Sequence, residues 1–333
     1  MKALRFLLFP FSVVYGGITA LRNYLYDYGI LESRQYSTPI VSVGNLTTGG
    51  TGKSPMVEYL ISLFAKTNKM AVLSRGYKRK TTGYREVFEN SAPTETGDEP
   101  LQIKRKFPQA TVAVCKDRRT GIEILQKTAG VIVLDDAFQH RRVKPKVSIL
   151  LTDYSKLFVN DYMLPTGNLR EPRSGAKRAD VIVVTKCPPH LLYAELQKTG
   201  ALLPLRSNQR LYFSRIRYGK QFVGKTETKP LAHLKAKPFT LVTGIADPSP
   251  MVLFLREMKF QFTHKKYPDH HNFSDKEIEQ LKKEHLLITT EKDYVRLQPK
   301  LKGHALYYLP IKTEIVRQQA GAFKDRIKNL IER

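Results

Sequence analysis

Cysteine is nearly absent: Cys115 and Cys187 are the only two in 333 residues. They form no metal-type spacing, which excludes a disulfide scaffold and a cysteine-based zinc site and fits a reducing compartment. Acidic residues are scarce as well, 30 Asp and Glu against 56 Lys and Arg, for a formal net charge of +26. Such an imbalance asks for a polyanionic partner: nucleic acid, an anionic membrane or a phosphorylated substrate. A long apolar run is also missing. The apolar, charge-free stretch near the N-terminus, Phe6 to Leu21, is about 16 residues, short of the roughly 20 that a spanning helix needs, and Pro10, Gly16 and Gly17 interrupt it. No small-x-small cleavage site follows, so it makes a poor signal peptide.

The chain is long enough for about two domains of ordinary size. Its 41% apolar content, with 20 Gly and 19 Pro, excludes a disordered or collagen-like chain. Residues 1–30 carry Lys2, Arg5 and Arg22 around the apolar stretch and Tyr24, Tyr26 and Tyr28 after it. Basic flanks and interfacial aromatics suit a helix lying in the headgroup plane of an anionic bilayer. A core-packed helix and a true span are the competing readings.

After Pro39, short apolar runs alternate with helical stretches. The runs are 40–44, 70–74, 111–115, 131–135, 147–153 and 180–186, with helices expected over 53–66, 118–128 and 190–200. Near-continuous apolar runs of this length are what strands buried on both faces look like, so residues 31–205 are expected to form a doubly wound, mostly parallel α/β domain. Residues 206–237 break the rhythm with an alternating stretch and a Lys/Pro-rich connection, read as a β-hairpin hinge. Residues 238–333 are expected to form a smaller α/β domain, with runs at 239–244 and 286–292, a helix around 248–258, and a Ser274/Glu277 capping box opening a helix over 275–284.

The strongest chemical signal is VSVGNLTTGGTGKSP, residues 41–55. A strand runs into a Gly-rich turn, then Gly52-Lys53-Ser54, then an apolar-periodic helix. Phosphate binding needs this order, because backbone N–H groups and the helix N-terminus together cradle the anion. Gly49, Gly50, Thr51 and Gly52 would wrap the phosphates, Lys53 would bridge them, and Ser54 would hold Mg²⁺. Thr47 stands where the usual pattern has glycine. The run 131–136 ends in Asp135 and Asp136, as does the strand that organises Mg²⁺ in phosphate-loop nucleotidases. Thr185-Lys186-Cys187-Pro188 and Thr290-Glu291-Lys292-Asp293 both fail the guanine-reading tetrad, so ATP is expected over GTP.

GNLTTGGTGKSP (44–55), SRGY (74–77), GDEP (97–100), LDDAFQH (134–140), LPTGNLREP (164–172), DHHNF (269–273) and TEKD (290–293) occur in this order. Together they resemble the tetraacyldisaccharide 4'-kinase (lipid A 4'-kinase) family. Ala137 and Asn168 stand where that family commonly has Gly and Pro. The resemblance implies an ATP- and Mg²⁺-dependent enzyme of lipid A biosynthesis on the cytoplasmic face of the bacterial inner membrane. Its acceptor would be an acylated glucosamine disaccharide 1-phosphate, phosphorylated on the 4'-hydroxyl, with no nucleic acid and no obligate protein partner. The resemblance also implies a phosphate-loop domain, a two-stranded hinge and a smaller domain that closes over the nucleotide.

On the same resemblance Asp98 is the catalytic carboxylate and His270 its partner, with Glu99 beside them. His271 leaves open which imidazole pairs with Asp98. Asp135 and Asp136 would organise Mg²⁺; Arg170, Glu171 and His140 match further active-site positions. Arg75, at the C-terminal end of a strand, is read either as part of a solvated basic loop or as a donor to a substrate phosphate. Zinc binding by Asp269, His270 and His271 is disfavoured, since adjacent histidines rarely face one metal. The competing functional reading is a nucleic-acid-binding phosphate-loop ATPase, which the high positive charge would suit but for which an interfacial apolar helix has no use.

Overall fold

The structure is a computed structural model and describes residues 5–235, 237–316 and 319–333. Among these residues the strands form a nine-stranded sheet and a six-stranded sheet. The first has the order β15-β8-β7-β6-β1-β5-β2-β4-β3. Its strands are β1 (Ile40–Asn45), β2 (Met70–Ser74), β3 (Arg85–Val87), β4 (Thr111–Val114), β5 (Val131–Asp135), β6 (Val147–Asp153), β7 (Val181–Thr185), β8 (Arg210–Tyr218) and β15 (Ile311–Ile315). From β8 through β4 the neighbours are parallel; β15 and β3 run antiparallel along the two edges.

The alternation of the pleat divides the core in two. Val41 and Val43 face a cluster shared with Met56, Leu60 and Ile61, whereas Ile40, Ala71 and Leu73 face a second cluster with Ile122 and Leu125. The sheet is therefore covered on both faces, as the apolar runs predict.

The second sheet has the order β10-β9-β14-β13-β11-β12, built from β9 (Gln221–Val223), β10 (Thr228–Pro230), β11 (Phe239–Thr243), β12 (Phe262–Lys266), β13 (Leu287–Thr290) and β14 (Leu306–Leu309). The Ser274/Glu277 capping box is present at the start of the helix Asp275–Lys282.

Two features depart from the sequence reading of 206–237 and 238–333. β8 and β9 do not form a hairpin: β8 lies in the first sheet and β9 in the second. The chain crosses back at Pro310, whose carbonyl accepts from the Gly219 amide at 2.7 Å. The link is thus two-stranded, made of segments about 90 residues apart. Residues 311–332 then belong with the first sheet: β15 pairs with β8, and Phe323 and Ile327 of the final helix (Ala320–Glu332) are buried against it. Only tertiary pairing brings β15 home, and local periodicity carries no signal for that.

The N-terminal helix α1 (Phe9–Asp27) is inverted relative to an ordinary surface helix. Ser12, Thr19 and Asn23 are its buried residues, while Phe11, Val14, Ile18 and Leu21 are each more than half exposed. Its polar face is tied down through Ser12 Oγ to Thr166 Oγ1 (2.7 Å), the Tyr15 hydroxyl to the Arg170 carbonyl (2.8 Å) and Asn23 Nδ2 to Glu171 Oε2 (2.8 Å). A core-packed apolar helix is therefore excluded. Among the described residues no helix is long and apolar enough to cross a membrane. Lys2 lies outside the described residues.

The two sheets meet through helices. Lys106, at the end of α3 (Asp98–Lys106), donates to Glu58 Oε2 (2.7 Å) of α2 (Lys53–Phe64). It also donates to Glu291 Oε1 (2.9 Å) of α4 (Glu291–Leu297) and to the Ile311 carbonyl (3.0 Å). Burial raises both carboxyls, Glu291 to about 7, with Lys106 opposing. Replacing Lys106 by Met would leave two buried carboxylates uncompensated, and is expected to cost about 3–5 kcal/mol at pH 8. Because the folded pKa of Glu291 lies above its ordinary 4.5, its part in stability is full below pH 4.5 and is lost as pH rises through about 7. Thermal unfolding across pH 5–8 checks both points, with Glu291→Gln expected to flatten the slope.

Candidate active site

The turn between β1 and α2 sits in the middle of the first sheet, at the carboxyl ends of its parallel strands. Gly52 caps α2 with φ of 84°, a conformation that L side chains rarely adopt. A Cβ at Gly49 or Gly50 would meet nothing within 4 Å, so the Cβ side of the turn is open at these two positions. Gly44 is needed for a different reason: a Cβ there would lie 2.6 Å from that of Phe138, in the segment that follows β5. Thr47 forms a β-bridge with Leu169, and the Thr48 amide donates to the Asn168 carbonyl at 2.8 Å. That pairing accounts for a threonine where the usual pattern has glycine. On the outer side, Thr185 Oγ1 donates to the Thr51 carbonyl (2.8 Å) and Lys186 Nζ to that of Gly50.

Three carboxylates gather at this turn. Glu99 Oε2 accepts from Ser54 Oγ at 2.9 Å. Asp136, at φ 48°, lies 3.7 Å from Lys53 Nζ and accepts from Arg170 Nη1 at 3.0 Å. Burial pushes the Asp136 carboxyl up, but Lys53 and Arg170 outweigh it and hold it below the usual range. Asp135 is the opposite case. It is buried, beside Glu99 and Asp136, and its carboxyl is pushed up to about 6. One oxygen accepts from Ser74 Oγ (2.8 Å); Oδ1 is buried without a hydrogen-bond partner among the described residues.

Asp98 opens α3, after Gly97 at φ 91°. Its Oδ2 lies 2.8 Å from Arg296 Nε and 3.7 Å from His270 Nδ1. Burial alone would raise this carboxyl; His270, Arg296 and Lys292 together hold it low. His270 is itself fixed by a relay of hydrogen bonds. The fully buried Asp293 accepts from the Gly244 amide at 2.8 Å, and the Gly244 carbonyl accepts from the His270 amide at 3.1 Å. His271 faces away, its Nε2 3.0 Å from Glu277. Of the two adjacent imidazoles, His270 is therefore the one beside Asp98.

Lys292 and Arg296 escaped the sequence reading as site residues. Lys292 Nζ lies 3.1 Å from Glu99 Oε1 and 2.9 Å from His270 Nε2. The signal was present in TEKDYVR: Lys292 and Arg296 stand four apart on one face of α4.

Glu171 and His140 do not face the turn. Glu171 is fully buried and accepts from Asn23, Gln139 and Arg178, at 2.8, 2.9 and 2.8 Å, so it staples α1 to the core and does not face the turn. His140 lines a neighbouring depression with Tyr84, Cys115 and Asp117, where burial and Arg118 push its imidazole down to about 4. Arg75 is exposed at the end of β2, with no side-chain hydrogen bond or ion pair among the described residues.

Comparison with known proteins agrees with this geometry. A family model described as tetraacyldisaccharide-1-P 4'-kinase matches residues 4–332. The tetraacyldisaccharide 4'-kinase of Flavobacterium johnsoniae is 45% identical over 325 residues, covering 96% of this chain and 95% of that protein. The enzyme of the same name from Bacteroides thetaiotaomicron is 41% identical over 347 residues, covering 96% and 91%. The crystal structure of the "apo" form of LpxK from Aquifex aeolicus in complex with ATP is similar with a TM-score of 0.80 at 29% identity, covering 98% of this chain and 99% of that one. Motif order, sheet order and full-length similarity converge on one conclusion: this chain belongs to the tetraacyldisaccharide-1-P 4'-kinase family.

Proposed function

We propose that this chain transfers the γ-phosphate of ATP to the 4'-hydroxyl of an acylated glucosamine disaccharide 1-phosphate, a step of lipid A biosynthesis. The observation that carries this reading is a glycine-rich turn that runs into Lys53 and Ser54, with Ser54 bonded to Glu99 and the adjacent Asp98 held beside His270 and Arg296. The reading displaces the nucleic-acid ATPase considered from charge alone.

Phosphoryl transfer asks for positioning and charge neutralisation more than covalent chemistry. The amides of 49–52 would hold the phosphates while Lys53 neutralises developing charge, and Arg170 keeps Asp136 in place beside it. The acceptor hydroxyl has a very high pKa, so a carboxylate that takes its proton late is sufficient. Asp98 is that base. Its low proton affinity suits late transfer, and His270 and Arg296 orient it.

The donors here fit Mg²⁺: they are hard oxygens, and Asp135 Oδ1 is buried and unpartnered. Among the described residues no group of three His, Cys, Asp or Glu is placed to hold a metal by itself, as expected for an ion that keeps waters and phosphates as ligands. Ser54 and Asp135 would hold it. When bound, the ion would offset phosphate charge.

Residues 219–310 form the unit that closes over the nucleotide, and α1 lies in the headgroup plane on the cytoplasmic face of the inner membrane, its apolar row in the acyl layer.

A radiolabelled ATP assay with the acylated disaccharide 1-phosphate, resolved by thin-layer chromatography, tests the activity. Lys53→Ala and Asp98→Asn are each expected to lower kcat by about 100-fold or more while circular dichroism is unchanged. Normal turnover by Asp98→Asn would remove the base assignment. For membrane attachment, Phe11→Glu with Ile18→Glu should cut sedimentation with vesicles more than about tenfold, since each removes an apolar group worth about 1.5–3 kcal/mol. Unchanged pelleting would refute the in-plane helix.

A further inference from the structure

Beside the C-terminal half of α1 lies a depression of about 460 Å³, lined by Arg22, Tyr26, Leu31, Glu32, Arg119 and Arg142. None of these residues belongs to the phosphate turn or to the carboxylate cluster facing it. Three guanidiniums meet there against one carboxylate. Neighbouring arginines are matched: Arg34 with Glu123, and Arg141 with Asp27 at 2.7 Å. Of the three in the lining, Arg119 is paired with Asp117, whereas Arg22 and Arg142 have no carboxylate partner among the described residues. Arg22 donates from Nη2 to the Gln139 carbonyl (3.2 Å), and its Nε is buried with no partner among the described residues. Arg119 lies 3.4 Å from Asp117, and its Nε is likewise buried and unpartnered. Arg142 is exposed, with no carboxylate partner among the described residues. Buried donors are nearly always satisfied in folded proteins; unpartnered guanidinium N–H groups also occur on Arg118, Arg141, Arg296 and Arg326, and what singles out this depression is that two of them, on Arg22 and Arg119, lie with the unpaired Arg142 around one cavity.

The surroundings specify the acceptor's chemistry. Guanidinium forks match phosphate oxygens in pairs. Leu31 and Tyr26 give the depression an apolar wall, and Tyr28 and Ile30 beside it are 70% and 65% exposed. They continue the outward apolar row of α1. A phosphate seated among the arginines can therefore keep an attached acyl chain against that row.

We propose that Arg22, Arg119 and Arg142 form a second anion site, one that takes a phosphate group carried on a lipid at the bilayer surface. The proposal rests on the in-plane position of α1 given above. Two sources supply this chemistry: an anionic glycerophospholipid of the membrane, and the phosphate already present on the acceptor. In the first case the site sets the depth and tilt of the enzyme on the bilayer. In the second it orients the disaccharide from its far end.

The test uses full-length protein with Arg22→Lys, Arg119→Lys and Arg142→Lys, which keep net charge and remove the fork, and Glu32→Gln, which removes the opposing carboxylate. The first arm measures sedimentation with phosphatidylcholine vesicles and with vesicles containing phosphatidylglycerol, without ATP or acceptor. The second measures initial rates with acceptor in neutral-detergent micelles free of phospholipid.

If the membrane lipid is the source, the lysine variants lose about threefold to tenfold in binding to phosphatidylglycerol vesicles only, and Glu32→Gln gains. If the acceptor is the source, the same variants raise its KM about threefold to tenfold, with a smaller effect on kcat. Diffuse attraction predicts no loss from Arg→Lys, so variants unchanged in both arms overturn the proposal. Wild-type protein that binds neither vesicle contradicts the in-plane helix instead, and the micelle arm then decides the site alone.

Discussion

The ion pairs of Lys292 with Glu99 and of Arg296 with Asp98 hold the rest of the site in place. Two adjacent carboxylates sit at the start of one helix, largely withdrawn from water. Without compensating charge they would repel one another and take up protons. The helix N-terminus helps, but Asp98 is compensated by His270 together with Arg296 and Lys292 of α4, and Glu99 chiefly by Lys292, all from the part of the chain that carries the other sheet. The arrangement proposed to be catalytic is therefore complete only while both sheets are together. Lys106 fastens the same pair of helices at the opposite end of α3, through buried carboxylates on either side. One contact neutralises the reacting groups and the other sets the spacing between the helices that carry them.

A second line of contacts joins this centre to the exposed apolar face of α1. The Tyr15 hydroxyl of α1 bonds to the Arg170 carbonyl, the Arg170 guanidinium holds Asp136, and Asp136 lies beside Lys53. The next residue, Glu171, receives Asn23 of α1 together with Gln139 and Arg178. The inverted helix is thus an integral wall of the nucleotide site, and its polar face is spoken for. What remains outward is an apolar row, Phe11, Val14, Ile18 and Leu21, of the kind that marks interaction surfaces.

Much of this was legible in the residues. The runs at 70–74, 131–135 and 147–153 coincide with β2, β5 and β6, because a strand covered on both faces has to be apolar throughout and can be bounded only by polar or turn residues. The phosphate turn was legible because its chemistry constrains glycine, lysine and serine at neighbouring positions. Asp98 and His270 came from motif order alone, and their approach depends on a relay through Asp293 and Gly244 that no spacing encodes. The partners of Glu171 were not legible for a related reason: a carboxylate in a polar motif looks the same whether it faces a ligand or is consumed by an internal network. The return of β15 to the first sheet escaped for want of any local signature, since a short alternating strand fits either sheet equally well.

The crossing at Gly219 and Pro310 has a consequence for how such a chain can be taken apart. The segment between them leaves the first sheet and rejoins it at one spot, its ends within a hydrogen bond of each other. Topologically it is an insert with a single doorway. The host layer closes over its own last strand and final helix, so the inserted module is open to excision, grafting or circular permutation at that doorway without severing any parallel ladder of the host.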